Sequence, residues 1–254
     1  MNVPWVIINA DDVGLSAEVD EGVLEVVRAG RVTSVSIFVN PPFRPPIGAL
    51  KDTPVSIGLH LNLAIGLPLS PSGLSALRAQ DGRFRPRWFQ DDGEFDGDEI
   101  RDELMRQLEA FQVLTGTMPT HLDTHKHVHA RNRHILAMLA GIAKALGVPL
   151  RAPDEVVRET LRSWGVRVTD HFVGGVEPSP YWTEERLATV LGDLPLGVTE
   201  MMCHPGRIMP EMEGLRYTRQ RDVERQTLLS PRTARVLGNL SLATFVTAPL
   251  GGEG

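Results

Sequence analysis

The chain has 254 residues, 42% apolar and 23% charged, with a formal net charge of -6 at pH 7. These proportions exclude wholesale disorder and collagen-like repeats, and the negative balance argues against a nucleic-acid partner held by a broad basic surface. No apolar run reaches the roughly 18–20 residues of a membrane-spanning helix. The start, MNVPWVIINADD, lacks the features of a secretory signal, and the lone Cys203 suits a reducing compartment, so a cytoplasmic protein with no membrane partner is expected. With no internal repeat, low-complexity tract or composition break, one domain over residues 1–254 is expected.

In chain order, Val3–Asn9 is a largely apolar run, predicted as a buried strand that ends at Asn9-Ala10-Asp11-Asp12. Ala17–Ala29 places Val19, Val23 and Val26 on one helical face, with Gly30 as the stop. Thr33–Val39 is β-branched and alternating, a second strand closed by the prolines of PPFRPP. In the third strand, Val55–Leu63, residues Ile57, Leu59, Leu61 and Leu63 share one face, and Gly58, His60 and Asn62 the other. Residues 64–97, rich in glycine, proline and acid, form an irregular insertion too long for a plain linker. A helix capped by Asp98 and ended by Gly116 follows, with Ile100, Leu104, Leu108 and Phe111 at helical spacing. Thr120–His129 reads as a fourth strand and Asn132–Leu146 as a helix. Short strands are expected near Val148–Ala152, Val166–Phe172, Val198–Cys203 and Ala243–Thr247. Seven or eight strands, mostly separated by helices, imply parallel pairing with right-handed crossovers. The expected fold is α/β: an irregular TIM-like (β/α) barrel, with an open doubly wound sheet as competitor.

Both architectures put function at the carboxyl ends of the strands, and the reactive residues fall there. Asp11 and Asp12 follow the first strand, His60 lies near the end of the third, and His125, His127 and His129 crowd the end of the fourth. His204 follows the strand ending in Cys203. Adjacent carboxylates after a buried strand repel unless a cation or proton lies nearby. Neighbours at a strand end point in different directions, so one can bind a metal while the other acts as a base. In THLDTHKHVH a period of two puts His121, Asp123, His125, His127 and His129 on one face, a set that burial does not tolerate without a cation or a water-filled cavity. Glu200 shares the His204 face, and Arg151, after a short strand, is placed to orient a carboxylate such as Asp11. One carboxylate and two imidazoles make a facial set with open positions for a divalent cation. Zinc, iron, cobalt and manganese suit such donors, magnesium less so. With a carboxylate base and an imidazole acid beside it, such a site is equipment for hydrolysis. There is no phosphate-cradling glycine loop, GxSxG elbow or dinucleotide fingerprint.

The blocks INADDVGLS, the VTS run after the first helix, IGLHLNL, PTHLDTHKHVH and MMCHPG run in order from the start of the chain to about Gly206. Together they resemble the YdjC-like (ChbG/HpnK) carbohydrate deacetylase family. The resemblance implies an irregular TIM-like barrel, one divalent metal ion and removal of N-acetyl groups from amino-sugar oligosaccharides. The metal of that family is commonly assigned as magnesium, with zinc also matching the donors. It implies Asp12, His60 and His125 as ligands, with His127 the substitute for His125, Asp11 as general base and His204 as acid. His127 and His129 are then candidates to meet substrate or support the ligands, alongside Arg151. A small N-acetylated saccharide is the implied partner, and a homodimer the implied assembly. The chain departs from the family pattern at PPFRPPIG and in residues 64–97, which leaves the sugar open. The alternatives are a metal-dependent phosphoesterase or amidohydrolase, and a catalytically idle sugar-binding module. The spare carboxylate Asp11 favours an enzyme, because binding alone needs no base.

Overall fold

Residues 4–85, 96–209 and 216–250 are described by a computed structural model. The order is β1 (Trp5–Val13), α1 (Ala17–Arg28), β2 (Ser34–Ile37), α2 (Ile47–Lys51), β3 (Ser56–Leu61), α3 (Gly97–Thr115), β4 (Leu122–Thr124), α4 (Val128–Arg131), α5 (Arg133–Leu146), α6 (Glu155–Ser163), β5 (His171–Val173), α7 (Glu184–Gly192), β6 (Val198–Cys203), α8 (Arg219–Leu229), α9 (Pro231–Leu237) and β7 (Ser241–Leu242). The expected strand start at Val3 lies outside the described residues, as do residues 86–95 of the irregular insertion.

Alternation along β1 sets the plan of the molecule. Val6, Ile8 and Ala10 face outward into the main core with Val19, Val23 and Val26 of α1; each large apolar side chain so buried contributes roughly 1.5–3 kcal/mol. On the inner face Ile7 joins Val198, Ala243, Phe245 and Ala248 in an apolar plug, while Asn9 and Asp11 follow it toward the carboxyl end. β3 repeats the scheme, Leu59 and Leu61 outward and His60 inward, as its alternation predicts.

Among the described residues every strand ladder is parallel, in the order β4-β3-β2-β1-β6-β5, with β7 against the start of β1; Arg78 and Phe84 add one isolated antiparallel bridge. The sheet curls into a half-barrel. Beyond the edge β4, Leu122 bridges Leu150, whose N–H donates to the Arg167 carbonyl at 3.0 Å, four residues before β5 begins. Ladders closed into a full barrel, as expected from the sequence, are not formed by the described residues. Pro149 within the expected strand and Pro153 just after it lack N–H donors, so the strand expected at 148–152 is reduced to a bridge. The strand expected at 166–172 is shortened and shifted to β5 (His171–Val173), and the one expected at 243–247 is not formed: that stretch is irregular and turns, and the short β7 (Ser241–Leu242) lies just before it.

Asp96, not the expected Asp98, caps α3: its side chain accepts from the Asp98 and Glu99 N–H groups, and Gly116 ends the helix in the left-handed region at φ 73°. The buried face of α3 pins the loop after β3. Glu103 accepts from the Leu69 and Ser70 N–H groups at 3.1 and 2.7 Å, and Gln107 exchanges two hydrogen bonds with the Asn62 backbone. No helix among the described residues is long and apolar enough to cross a membrane.

Candidate metal and active site

Between Ala10 and Val13 the register of β1 slips: Ala10 pairs Val35, and Val13 pairs Ile37. The extra residue is taken up as a bulge with Asp12 at φ 68°. Asp11 and Asp12 therefore enter one buried cluster but meet different partners there.

Asp12 Oδ1, His60 Nε2 and His125 Nδ1 converge, with separations of 3.2 Å (Asp12–His60), 3.0 Å (Asp12–His125) and 3.3 Å (His60–His125). A cation about 2.0–2.1 Å from each donor would space neighbouring donors about 3.0–3.4 Å apart, so the triangle has the dimensions of part of a coordination sphere. Burial pushes the Asp12 carboxyl up, but Arg221 and His125 outweigh it and hold the group well below its usual range. Burial pushes the His60 ring down, yet Asp123, Asp12 and Asp11 around it raise it to about 10. Burial pushes the His125 ring down and the pull of Asp12 does not fully offset it, so the carboxylates favour positive charge at His60 in particular.

Behind His60 stands Asp123, whose Oδ1 lies 2.8 Å from Nδ1. That bond keeps a proton on Nδ1, so a cation that displaced the second ring proton would find the Nε2 lone pair aimed toward Asp12 and His125. Asp123 Oδ2 lies 2.8 Å from Ser36 Oγ and 2.9 Å from Arg151 Nη2. Arg151 is fully buried and also holds Asp11 with both terminal nitrogens, at 2.6 and 2.8 Å, and Glu200 with Nε at 2.6 Å. Asn9 Nδ2 donates to Asp11 Oδ1 at 2.7 Å. Burial raises the Asp11 carboxyl, but the Arg151 charge and hydrogen bonds more than offset this and leave it lowered. Asp11, His60 and Asp123 form a second set close enough to share a cation; there the Arg151 guanidinium already bridges the two carboxylates.

The fourth strand corrects the sequence reading. β4 ends at Thr124, and His125–His127 make a 3-10 turn with Lys126 and His127 in the left-handed region at φ 59° and 50°. The expected single face from His121 to His129 is broken by that turn. His125 is delivered to Asp12. His127 is half-buried, edge-on to Phe172 at 5.7 Å, and its Nδ1 has no hydrogen-bond partner among the described residues. His129 turns away from the cluster: its Nε2 donates to the Arg151 carbonyl at 2.9 Å and its Nδ1 accepts from Thr124 Oγ1 at 2.6 Å. Both ring nitrogens being engaged, His129 supports the Arg151 backbone and has none left for a sugar. His121 stacks on Phe245 in the floor, 3.8 Å between ring centres.

His204 follows β6. Its N–H donates to Glu224 Oε2 at 2.6 Å, and its Nδ1 is buried without a partner among the described residues. Burial pushes its ring down to about 4, against the opposing pull of Asp12 and Asp11. Arg221, one turn before Glu224 on α8, donates from Nη2 to Asp12 Oδ2 at 2.5 Å. Sequence reasoning assigned nothing to Arg221, Glu224, Ser36 or Asn9. A signal existed for the first two: Arg221, Glu224 and Leu228 recur at helical spacing, so two charged residues share a face with a buried leucine.

The fold and this cluster define a class: a parallel α/β half-barrel with a buried carboxylate–imidazole centre at the carboxyl ends of its strands. The YdjC-like protein family model matches residues 5–239. A carbohydrate deacetylase of Thermoanaerobacter pseudethanolicus is 31% identical over 234 residues, covering 88% of this chain and 90% of the relative. A chitooligosaccharide deacetylase of Serratia marcescens is 34% identical over 234 residues, covering 89% and 90%. Among solved structures, an Enterococcus faecalis protein to which cellobiose-phosphate cleavage has been ascribed superposes with a TM-score of 0.80 at 23% identity, covering 96% of this chain and 98% of that one. The chain belongs to the YdjC-like family and is an enzyme.

Proposed function

We propose that the chain is a metal-dependent hydrolase, one domain over residues 1–254 with an irregular TIM-like plan, that removes N-acetyl groups from amino-sugar oligosaccharides of the chitooligosaccharide kind. The substrate is a small saccharide; a cytoplasmic location and a homodimer belong to the same reading. One observation carries it: three donor atoms 3.0–3.3 Å apart stand beside an anionic carboxylate, Asp11, that is not one of them. The names of the relatives supply the sugar.

Asp12, His60 and His125 would hold a divalent cation (magnesium by family resemblance, zinc by donor type), which when bound polarises an amide carbonyl and acidifies water. Asp11 takes the proton from the attacking water. Its Oδ1 accepts from Asn9 and Arg151, whereas among the described residues Oδ2 accepts from Arg151 alone, leaving a lone pair for that proton. Arg151 fixes the direction of the carboxylate and keeps it ionised, though it also weakens it as a base. His204 gives a proton to the amine nitrogen as the C–N bond breaks, and acetate and the free amine result. Burial keeps that ring neutral near pH 7, so its proton arrives within the cycle, drawn by the negative charge of the tetrahedral adduct. That proton is the one Asp11 took from water, passed to His204 through solvent before the C–N bond breaks, so Asp11 ends ionised and His204 neutral as they began, and the balance closes.

The test is acetate release from N-acetylated chitobiose, before and after chelation. Release that stops with chelator and returns with added metal is expected. Phosphate released from phosphoesters without acetate would favour the phosphoesterase reading, and sugar binding with neither product the idle module.

A further inference from the structure

Building on the proposed metal site, we propose that Arg221 is a positioning residue that makes Asp12 a one-oxygen ligand, and that Gly22 and Gly206 are the contacts that let it reach. Asp12 divides its carboxylate. Oδ1 faces His60 and His125, while Oδ2 accepts from Arg221 Nη2 at 2.5 Å. A carboxylate whose second oxygen is fixed by a directional, charge-assisted bond cannot swing both oxygens toward a cation. Restraint matters here because Asp12 sits on a bulge at φ 68°, where ladder pairing does not fix its side chain.

Arg221 is itself anchored. Its Nε donates to the Tyr217 carbonyl at 2.8 Å, and only 1% of the residue is exposed. Its stem lies on Gly206, where a Cβ would stand 3.3 Å from Arg221 Cβ and 3.4 Å from Cδ. Gly206 in turn lies against Gly22 of α1, where a Cβ would come within 2.5 Å of Gly206 Cα. The Gly206 N–H donates to the Arg221 carbonyl at 3.2 Å, and the Arg207 N–H to the Glu18 carbonyl at 2.9 Å. The turn after β6 is thus clamped between α1 and α8 at glycine distance, and the clamp brings a guanidinium from late in the chain beneath the bulge of β1. The last nitrogen, Nη1, is buried with no hydrogen-bond partner among the described residues. An unpaired buried donor opposes folding, so stability alone does not account for an arginine here.

Charge and positioning predict opposite outcomes. A positive group beside a cation site repels the cation, so if charge were the whole effect, removing Arg221 would tighten metal binding. If positioning dominates, removal weakens it. The experiment is calorimetric titration of Zn2+ into the apo full-length chain, with a thermal scan of each apo protein, for wild type, Arg221→Gln, Arg221→Lys and Gly206→Ala. Arg221→Gln is expected to bind about 10–100-fold more weakly. Arg221→Lys should lose less, since it keeps the charge and a donor but not the Nε anchor. Gly206→Ala, which pushes on the arginine stem, should also bind more weakly, with losses that do not follow the thermal midpoints. Wild-type or tighter affinity in Arg221→Gln overturns the inference. If that variant does not fold, wild-type affinity in both of the others overturns it. A wild type that takes up no Zn2+ defeats the proposed function itself, and that failure is read from the wild-type titration alone.

Discussion

Asp123→Asn keeps the shape of a buried side chain and removes its charge. In the structure Oδ1 meets His60 Nδ1 at 2.8 Å, and Oδ2 meets Ser36 Oγ at 2.8 Å and Arg151 Nη2 at 2.9 Å. An amide offers one acceptor atom and one donor atom. With its oxygen toward His60, its NH2 group opposes the Arg151 donors. With its oxygen toward Arg151, the NH2 group donates to His60 Nδ1 and moves the ring proton to Nε2, the atom that faces Asp12 and His125. The first arrangement leaves a buried donor clash, and the second blocks a ligand position. Loss of such a supporting partner weakens metal binding by about 10–100-fold, or about 1.4–2.7 kcal/mol. Arg151 retains Asp11 and Glu200, so the apo fold should lose about 1.5–3 kcal/mol, the worth of one hydrogen bond to a charged group. For a chain of this size that is a fall of roughly 3–12 °C in midpoint. The assay is Zn2+ titration with an apo thermal scan, and Ser36→Ala, which removes a neutral partner of the same carboxylate, should show a smaller change in both. Wild-type metal affinity in Asp123→Asn would refute the idea that this carboxylate sets the His60 tautomer.

His204→Ala should lower kcat for acetate release by about 10²–10⁴-fold with KM little changed; unaltered turnover removes it from the chemistry. Gly58→Ala would place a Cβ 2.2 Å from His121 Cε1, in a ring already stacked on Phe245. It should therefore destabilise the floor by about 1–3 kcal/mol or more, and an unchanged midpoint would contradict that packing. Asp20 Oδ1 accepts from the Gly14 N–H at 2.6 Å, and burial pushes its carboxyl up to about 7, above the 3.8 of the free group. Its folded pKa being the higher one, ionisation opposes folding increasingly from about pH 4 to pH 7, by about 2 kcal/mol after allowance for partial exposure. Asp20→Asn keeps an acceptor without the charge, so it should unfold at higher denaturant than wild type near pH 8 and at the same denaturant near pH 4. Equal gains at both pH values would show that ionisation is not the cause.

The phase of β3 was legible because one face had to be apolar, which left His60 inside; β1 was legible only as a buried apolar strand, and its continuation through Asp11 and Asp12 to Val13 was not. The gathering of histidines at strand ends was equally visible. Three things were hidden for distinct physical reasons. Strand alternation through Thr120–His129 contains no glycine or proline to announce a turn, yet Lys126 and His127 both adopt left-handed torsions and end it. The bulge at Asp12 depends on register against β2, which no local pattern encodes. Arg221 reaches Asp12 across 209 residues of sequence, and Glu224 reaches the His204 backbone across 20, so proximity appears only in three dimensions. Asp123 was seen on the right face but given no role, because what it does depends on which atom of His60 it meets.

Anomalous diffraction from crystals of the full chain soaked in Zn2+ tests the central claim most directly. One peak is expected, coordinated by Asp12 Oδ1, His60 Nε2 and His125 Nδ1, with the Asp11 carboxylate alongside but not ligating. A peak held instead by Asp11 and Asp123 with Arg151 displaced, or a soaked crystal with no peak in the cluster, would contradict it.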